Sequence, residues 1–441
     1  DTFLLTNSNV TIENLRFKNN DRAVTGGYTV VNMTGGSNYK VINCTFDANA
    51  SADVGCGASD VLIEGNTCLP KVNPTAFAIT LNAATRVWVN NNNIGEADAG
   101  VVVQGASSYI SINDNIIDDS HEIGIDLIHC DLVSTSGNKI SRARLFGLRM
   151  SLGPAAGFPT AITTRVTSSG DQFNDCGEDS GGAIAIASND SLLSGGHRVI
   201  APVIRCATPG IASVISCVAP NCIFSAVEIS GPHEVGVNVQ DLGLNFKLHG
   251  GTISGSTDTS VKLFTLAGPP VNADSRVEVS GVTIDSPGTS ADGIGMSIAN
   301  IGNSKISNNT VIFGANTKWG FRLSGGQLGL VMSDNTVIGT ATVGDAYSSG
   351  TASYFDDVSW SGNKMGTVNV DTVTGVATIL DTTSSIVVPI TMIKTPLVTA
   401  TSRADTGIYI SAISATSMTL ARVGGSTSGA VGVHYHAKLS Q

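Results

Sequence analysis

Charged and aromatic residues are scarce in this sequence of 441 residues: 13% are Asp, Glu, Lys or Arg, and 5% are Phe, Trp or Tyr. Leu, Lys, Glu and Arg, which favour helices, are few, and this argues against long helices. The net charge of −11 disfavours a nucleic-acid partner, because phosphate binding relies on clustered Lys and Arg. No uninterrupted run of ~18 apolar residues occurs, so no membrane insertion is predicted.

Cysteine pairs with the spacing of a zinc site are also missing. Of the eight cysteines, Cys44 and Cys68 occupy apolar positions of the inward type, where a free thiol acts as a small hydrophobic side chain. Cys217 and Cys222 are close enough in sequence to close a short loop. The sequence therefore predicts no metal site and no cofactor.

Gly, Asn, Ser, Thr and Val are abundant, and they recur in a fixed phrase. A short strand is followed by Ser, Gly or Asn, one further residue and an apolar residue. Fourteen copies follow one another at intervals of 22–33 residues; they include VTIENLRF (10–17), KVINCTF (40–46), ISINDNII (110–117) and VSWSGNKM (358–365). Such short strands cannot bury a face alone, so the copies must stack. The first phrase begins close to Asp1, and we expect further residues to precede it in the whole protein.

A second phrase, Gly followed by alternating apolar and variable residues, accompanies the first. Examples are GVVVQ (100–104), GIDLI (124–128) and GVNVQ (236–240). A period of two indicates a strand with one buried face. One such strand per coil predicts an all-β, parallel β-solenoid of about 14 coils. Asn at the recurrent turn suits a left-handed backbone and a ladder of stacked amides.

These repeats resemble the right-handed parallel β-helix of the pectate-lyase-like superfamily over residues 1–370. Residues 371–441 instead show six or seven alternating strands, which predict a small C-terminal β-sandwich. Within it, His434 and His436 have no third ligand nearby in sequence, which favours a structural or interfacial role over metal binding.

A β-helix that ends in a sandwich is similar to bacteriophage tailspikes. The resemblance implies a homotrimer on the virion that cleaves bacterial surface polysaccharide, either O-antigen or capsule, outside the host cell. The shaft would carry the polysaccharide groove, and the sandwich would serve trimerisation or carbohydrate binding.

Titratable residues are concentrated in one strand phrase, SHEIGIDLIHCD (120–131). Ile125 and Leu127 are predicted to face inward, so Asp126 faces outward. Since equivalent residues of stacked coils form columns, the second residue after each Gly predicts an outward column of Thr80, Val102, Asp126, Arg149, Ala183, Ala212, Asn238, Lys262, Gly295 and Arg322. The same alignment places Glu122 beside Asp98, one coil below, and Asp179, two coils above.

This cluster predicts a catalytic site of Glu122, Asp126, Asp98, Asp179 and Arg149. Hydrolysis of a glycosidic bond uses two carboxylates, ~5–5.5 Å apart for retention or ~6.5–9.5 Å for inversion. Asp98 with Glu122 fits the shorter spacing, and Glu122 with Asp179 the longer one. A lyase would instead use Arg149 with His121 or His129 as the base. An endo-acting glycoside hydrolase is favoured because carboxylates outnumber cations.

Other residues are predicted to bind substrate. Asn82, Gln104, His121 and His129 flank the cluster, and Trp319 could stack on a sugar. A near copy of the phrase, PHEVGVNVQDL (232–242), places His233 and Glu234 four coils away. Three alternatives remain. Asp126 and Arg149 could form an ordinary surface ion pair, and the protein could be an adhesin that binds glycans without cleaving them. A catalytic site could also lie around Asp171, Asp175 and Glu178.

Overall fold

The computed structural model describes residues 3–18, 29–47, 52–71, 76–151, 163–179, 181–187, 195–240, 244–264, 275–288, 293–325, 327–339, 347–349, 358–365, 368–369, 372–379, 385–389, 397–402, 408–413, 417–422 and 431–438. Up to residue 365 these form a parallel β-helix of three ladders, and none of the described residues is α-helical. No described segment is a helix long and apolar enough to cross a membrane.

Ladder A consists of the strands that contain the second sequence phrase, with its alternating apolar residues. It joins Phe3–Leu5, the first halves of Thr29–Ile42 and Ala52–Glu64, Phe77–Asn82, Ala97–Gln104, Ser120–Ile128, Phe146–Ser151, Gly182–Ile186, Ser213–Cys217, His233–Gln240, Ser256–Phe264, Gly293–Ala299, Thr317–Ser324 and Tyr347–Ser349.

Ladder B lies at the start of the first phrase. It joins Thr11–Glu13, the second halves of Thr29–Ile42 and Ala52–Glu64, Thr85–Asn90, Ser107–Asn113, Cys130–Ser136, Thr167–Ser169, Arg198–Ile200, the first halves of Ile223–Ser230, Lys247–Ser254 and Glu278–Asp285, then Lys305–Ser307, Leu330–Ser333 and Val358–Ser361.

Ladder C closes each coil. It joins Arg16–Lys18, Thr45–Asp47, Thr67–Cys68, Asn93–Ile94, Ile116–Asp118, Lys139–Ser141, Gln172–Asn174, Val203–Arg205, the second halves of Ile223–Ser230, Lys247–Ser254 and Glu278–Asp285, then Thr310–Ile312, Thr336–Ile338 and Lys364–Met365, which pairs with the antiparallel strand Val368–Asn369.

The recurrent Gly of the second phrase lies where ladder A bends towards the core. A Cβ atom on Gly124 would come within 2.4 Å of Ile140 Cγ2 and 2.6 Å of the Gly147 carbonyl oxygen. The close approach of neighbouring coils therefore excludes a larger side chain there. After the bend, Ile125 and Leu127 are fully buried, as predicted.

The predicted ladder of stacked amides is present between ladders B and C. The side-chain NH2 of Asn66 donates to Asn92 Oδ1, and the chain continues through Asn115 and Asn138 to Asp171, over distances of 2.8–3.0 Å. A second chain joins Asn309, Asn335 and Asn363. The residue before each of these amides has the left-handed φ; examples are Asn91 (54°) and Gly137 (64°). In each coil one residue thus adopts the left-handed turn conformation, and the next residue contributes its side-chain amide to the ladder.

Asp171 ends the first amide chain and is 1% exposed. Its carboxylate accepts hydrogen bonds from the Thr135 and Ser168 hydroxyls as well as from Asn138. The interpretation of Asp171 as part of an alternative catalytic site is therefore wrong, because its oxygens face these buried donors rather than the surface.

All eight cysteines are free and buried, which agrees with the interpretation of Cys44 and Cys68 as core side chains. Cys217 and Cys222 do not form a disulfide. Burial raises the pKa of thiols such as Cys56, to about 11.

Beyond the β-helix the described strands form two three-stranded antiparallel sheets. One contains Thr372–Ile379, Val431–Lys438 and Leu397–Ser402, and the other contains Ser385–Pro389, Ser417–Arg422 and Ile408–Ile413. The β-sandwich over 371–441 stays a prediction. The side chains of His434 and His436 lie outside the described part, so their interpretation also stays a prediction.

Candidate functional site

A β-bulge shapes the strand with the concentrated titratable residues. Ala97 pairs with Ser120 but Ala99 pairs with Ile123, so His121 and Glu122 both lie opposite Asp98. Bulges re-aim side chains and are common beside active sites. This bulge brings Asp98 and Glu122 together at the outer edge of ladder A.

The Glu122 carboxylate affects the protonation of Asp98. The pKa of Asp98 is raised to about 6, first because the carboxyl is partly buried and second because the Glu122 carboxylate lies nearby, while His121 opposes the shift. His121 Nε2 lies 2.8 Å from Glu96 Oε1, and Glu122 is exposed. Two neighbouring carboxyl groups with different environments are the arrangement of an acid and a base or nucleophile.

Asp126 and Arg149 form a bidentate ion pair on adjacent rungs, as the predicted outward column requires. Arg149 Nε and Nη2 donate to the two carboxylate oxygens over 2.9 and 2.6 Å. Asp126 is 4% exposed, and burial raises its pKa while Arg149 opposes that shift. Because Asp126 is covered and neutralised, it is better placed to hold Arg149 than to react with a ligand.

Apolar side chains on the outer side of ladder A surround these charges. Ala99, Val102 and Ile123 form a buried cluster that is separate from the core, and the partly buried Phe77 and Phe146 pack against it. We call these five residues the outer cluster. Apolar and aromatic walls with a few polar groups are typical of ligand sites.

The outer cluster was not predicted, although a signal for it is present in the sequence. Phe77, Ala99, Ile123 and Phe146 share one register across four successive rungs of ladder A. Ala99, Ile123 and Phe146 each stand directly before the Gly of the second phrase, so aligning that position would have revealed the column.

Asp179 contacts a different residue from the one expected. Its carboxylate lies 2.7 Å from Arg144 Nη2, and both side chains are about half exposed. Among the described residues, no contact joins it to Glu122. Asn82 and Gln104 are neighbours in register on ladder A, and His129 occupies the turn that follows Ser120–Ile128, with a positive φ of 52°.

His233 is not a surface residue. Its ring is fully buried, Nδ1 donates to the Gly231 carbonyl over 2.8 Å, and Nε2 accepts from the Ser256 hydroxyl over 2.8 Å. Burial lowers the pKa of His233 to about 4. The prediction that His233 binds substrate on the outer face is therefore wrong, whereas Glu234 is exposed.

The bulge explains why the two similar phrases differ. Ser120–Ile128 has an extra residue before its Gly, so Ser120 takes the inward place and His121 moves outward. The strand His233–Gln240 has no extra residue before Gly236. His233 therefore takes the inward place that Ser120 takes in the other strand.

Pairing also defines the outer column of ladder A. The predicted members Thr80, Val102, Asp126, Arg149, Asn238, Lys262 and Arg322 are correct, but Ala183, Ala212 and Gly295 are wrong. The true members are Ala185, Ser216 and Ser297. The wrong residues were obtained by counting from Gly181, Gly210 and Gly293, which do not lie at the bend. In these three strands the residue at the bend is Ala183, Val214 and Gly295, respectively.

Trp319 lies between two cations. Lys318 Nζ is 4.3 Å and Arg322 Cζ is 4.4 Å from its ring centroid. No group of three or more His, Cys, Asp or Glu suited to a metal ion occurs in the described part of the chain.

Comparisons with known proteins agree on the fold. Residues 29–196 match the family model described as a right handed beta helix region. The tailspike protein gp49 of Pseudomonas phage LKA1 has a similar structure, with a TM-score of 0.53 and 12% identity over 93% of this chain and 68% of that chain. The right-handed parallel β-helix predicted from the sequence is confirmed.

Two further solved structures are similar to a lesser degree. A mutant tailspike protein of E. coli bacteriophage HK620, in complex with a hexasaccharide, has a TM-score of 0.45 and 10% identity over 94% of this chain and 75% of that chain. An alginate lyase from Paenibacillus has a TM-score of 0.45 and 10% identity over 67% of this chain and 99% of that chain. No curated protein sequence matches this chain.

Proposed function

We propose that this chain is a tailspike depolymerase of a bacteriophage, which binds and cleaves bacterial surface polysaccharide by endo-acting glycoside hydrolysis. The observation that carries the proposal is the pair Asp98 and Glu122, brought together by the bulge beside the outer cluster. The partly exposed rings of Phe77 and Phe146, which cover the outer cluster, offer the faces of sugar rings an apolar surface near the carboxyl pair. The polysaccharide would be a capsule or O-antigen at the surface of the host.

In this proposal Asp98 is the acid and Glu122 the nucleophile. Adjacent rungs lie ~4.8 Å apart, close to the ~5–5.5 Å between the carboxyl groups of retaining enzymes. Asp98 gives its proton to the glycosidic oxygen as that bond breaks, and Glu122 forms a bond to the anomeric carbon. Asp98 then takes a proton from water, which displaces Glu122. Partial burial favours Asp98 as the proton donor.

The inverting pair, Glu122 with Asp179, receives less support. Asp179 is already paired with Arg144, which leaves it less free to activate water. Asp126 and Arg149 are proposed as positioning residues whose ion pair holds the surface beside Glu122. Asn82, Gln104, His121, His129, Glu234 and Trp319 remain proposed substrate-binding residues.

A polysaccharide lyase is the second candidate, and the partly exposed His121 beside Glu122 favours it. However, Arg149 would have to release Asp126 before it could neutralise a substrate carboxylate. A lyase product contains a new carbon–carbon double bond that absorbs ultraviolet light, whereas hydrolysis gives no such absorbance. A rising absorbance during depolymerisation would therefore exclude hydrolysis.

Glu122→Gln tests the catalytic role, because the amide keeps the shape but cannot act as nucleophile. We expect turnover to fall by a factor of about 10²–10⁴, with binding of oligosaccharides and the unfolding temperature unchanged. Asp98→Asn should cause a loss of similar size. The matched control is Glu228→Gln, an exposed glutamate on ladder C, which should keep full activity.

Two results would contradict the proposal. If Glu122→Gln retains more than about a tenth of the wild-type rate, where a catalytic carboxylate should contribute at least 10²-fold, the carboxylate is structural. If the wild-type protein binds polysaccharide but leaves its chain-length distribution unchanged over long incubation, the chain is a non-cleaving adhesin.

A further inference from the structure

The outer column of ladder A continues well beyond the carboxyl pair. From Asp126 and Arg149 it passes the small side chains of Ala185 and Ser216 and reaches Asn238, Lys262, Ser297 and Arg322. Five rungs separate Asp126 from Lys262, which corresponds to ~24 Å along the axis. One polymer chain lying along ladder A would pass both groups.

The far end of this column contains cations next to aromatic rings. Lys262 Nζ lies 5.9 Å from the Phe264 ring centroid, and Arg322 packs on Trp319. We call Lys262, Phe264, Trp319 and Arg322 the cationic patch. Cations held on aromatic faces are oriented without being neutralised.

The cationic patch differs from six neutralised arginine sites of the shaft. It also differs from exposed cations such as Arg198 and Lys305, which form no ion pair within the described part of the chain, in that its cations lie on aromatic rings of ladder A. Arg16, Arg86, Arg142, Arg144, Arg149 and Arg165 each form an ion pair with an aspartate. Lys262 and Arg322 have no such partner among the described residues. In a chain with a net charge of −11, unneutralised cations held on aromatic rings along the column of the proposed site indicate a site for an anion.

A buried oxygen beside Lys262 gives an independent indication of a ligand. Asn238 is 7% exposed, its Nδ2 donates to Ser213 Oγ over 3.2 Å, and its Oδ1 has no hydrogen-bond partner in the described part of the chain. Thr80 Oγ1, at the other end of the same column, is also buried and has no hydrogen-bond partner in the described part of the chain. Buried acceptors without a donor are uncommon in proteins. A sugar hydroxyl group would supply the missing donor at Asn238.

We infer that Asn238 and the cationic patch bind carboxylate-bearing sugar units, so that the polysaccharide is an acidic one that contains uronic acid. Lys262 binds the carboxylate of the unit whose hydroxyl group donates to Asn238, one rung away, and Arg322, two rungs beyond Lys262, binds the carboxylate of a further unit. The inference rests on the proposed function, because it extends the same polymer from Glu122 along ladder A. Separated charges of this kind suit a polymer with a carboxylate on some units only.

Binding measurements with paired polymers test the inference. The probes are purified capsular polysaccharides that contain uronic acid, each compared with its carboxyl-reduced form. Binding is followed by the change in tryptophan fluorescence in a Trp88→Phe background, with Glu122→Gln present to keep the polymer intact. In that background Trp319 lies in the cationic patch, and the remaining Trp360 is buried on ladder B. Since a charge-assisted contact is worth ~1.5–3 kcal/mol, Lys262→Gln with Arg322→Gln should weaken binding of a carboxylated polymer by at least about tenfold. The reduced form should bind both proteins equally and weakly.

The matched control is Arg198→Gln with Lys305→Gln, two exposed cations on ladder B, which should bind as the parent protein does. Circular dichroism and the unfolding temperature verify that each variant is folded. Oligosaccharides too short to span ~24 Å should be cleaved by the Lys262/Arg322 variant with unchanged kcat/KM, in a protein with Glu122 restored.

The inference is overturned if the wild-type protein binds no carboxylated probe more tightly than its reduced form, or if the double variant binds as tightly as the parent. Failure of the proposed function has a different signature. In that case acidic polymers bind through the cationic patch, but the protein with Glu122 restored cleaves none of them.

Discussion

Asp98 is the residue whose protonation decides the proposed chemistry. Its pKa is raised to about 6 by partial burial and by the Glu122 carboxylate, so a large fraction of the molecules carry the proton in weakly acidic solution. The alignment of the sequence repeats already predicted Glu122 beside Asp98, whereas the partial burial that contributes most to the raised pKa of Asp98 depends on local packing that a sequence does not reveal.

If Asp98 is the proton donor, kcat/KM should fall as the pH rises through about 6, because the active form is the protonated acid. In Glu122→Gln the neighbouring charge is absent, so the pKa of Asp98 and the midpoint of the residual activity should move to lower pH. A pH profile of both proteins on one polymer measures this. A wild-type rate that increases through that range would contradict the assignment of Asp98 as the acid.

At a second residue-scale site, Lys71 is paired with Asp53, and both side chains are fully buried. Burial raises the pKa of Asp53 to about 6, while Lys71 opposes the shift. Lys71→Met leaves Asp53 unpaired and should reduce the free energy of unfolding by ~3–5 kcal/mol at neutral pH. The loss should shrink as the pH falls through the raised pKa of Asp53, since the neutral acid tolerates burial.

Chemical denaturation at two pH values measures this loss. Asp53→Asn combined with Lys71→Met removes both charges and should recover most of the stability. If Lys71→Met alone is as stable as the wild type at neutral pH, the ion pair does not compensate the burial of Asp53.

At the scale of elements, the amide ladder stabilises the turn between ladders B and C. Asn115 donates to the Val89 carbonyl and to Asn138 Oδ1, and it accepts from the backbone and side chain of Asn92, all within 3.0 Å. These groups are buried, so removing the Asn115 amide leaves several of them without a hydrogen-bond partner.

Asn115→Ala should therefore destabilise the shaft by about 3 kcal/mol or more, since each orphaned buried group costs ~1–3 kcal/mol. Asn93→Ala, at an exposed residue of the neighbouring coil, is the control and should change the free energy of unfolding by less than about 0.5 kcal/mol. Denaturant unfolding of both variants measures the difference. If the Asn115→Ala and Asn93→Ala variants are equally stable, water molecules replace the hydrogen bonds that Asn115 makes in the amide ladder.

The elements also show which features a sequence can predict. Period-two alternation and the recurrent Asn determined the ladders, because both follow directly from strand pleating and turn geometry. The phase was lost where the bend residue was not the expected Gly, as at Ala183 and Val214. A one-residue bulge reversed the orientation of His233 relative to His121, and such an insertion has no signal of its own in one sequence.

At the scale of the whole molecule, ladder A contrasts with the other two faces. The apolar side chains on the outer side of ladder A are covered: Val102 is 4% exposed, and Ile128 and Phe264 are partly buried. Apart from Phe3 and Leu4 on the first rung of ladder A, the large exposed apolar side chains of the described residues lie on or beside ladders B and C; they include Trp88, Tyr109, Ile116, Val331 and Ile338. Exposed apolar surface of this extent is typical of protein interfaces.

We therefore predict a homotrimer in which ladders B and C face the neighbouring shafts and ladder A stays open to the polysaccharide. Light scattering at micromolar concentration should give three times the 45.1 kDa of one chain. Trp88→Glu buries a charge at that interface and should shift the mass towards one chain, because an unpaired buried charge costs several kcal/mol. Glu122→Gln, on the open face, should leave the trimer intact. A wild-type particle with the mass of one chain would contradict the assembly, and an unaffected Trp88→Glu trimer would place the interface on a different face.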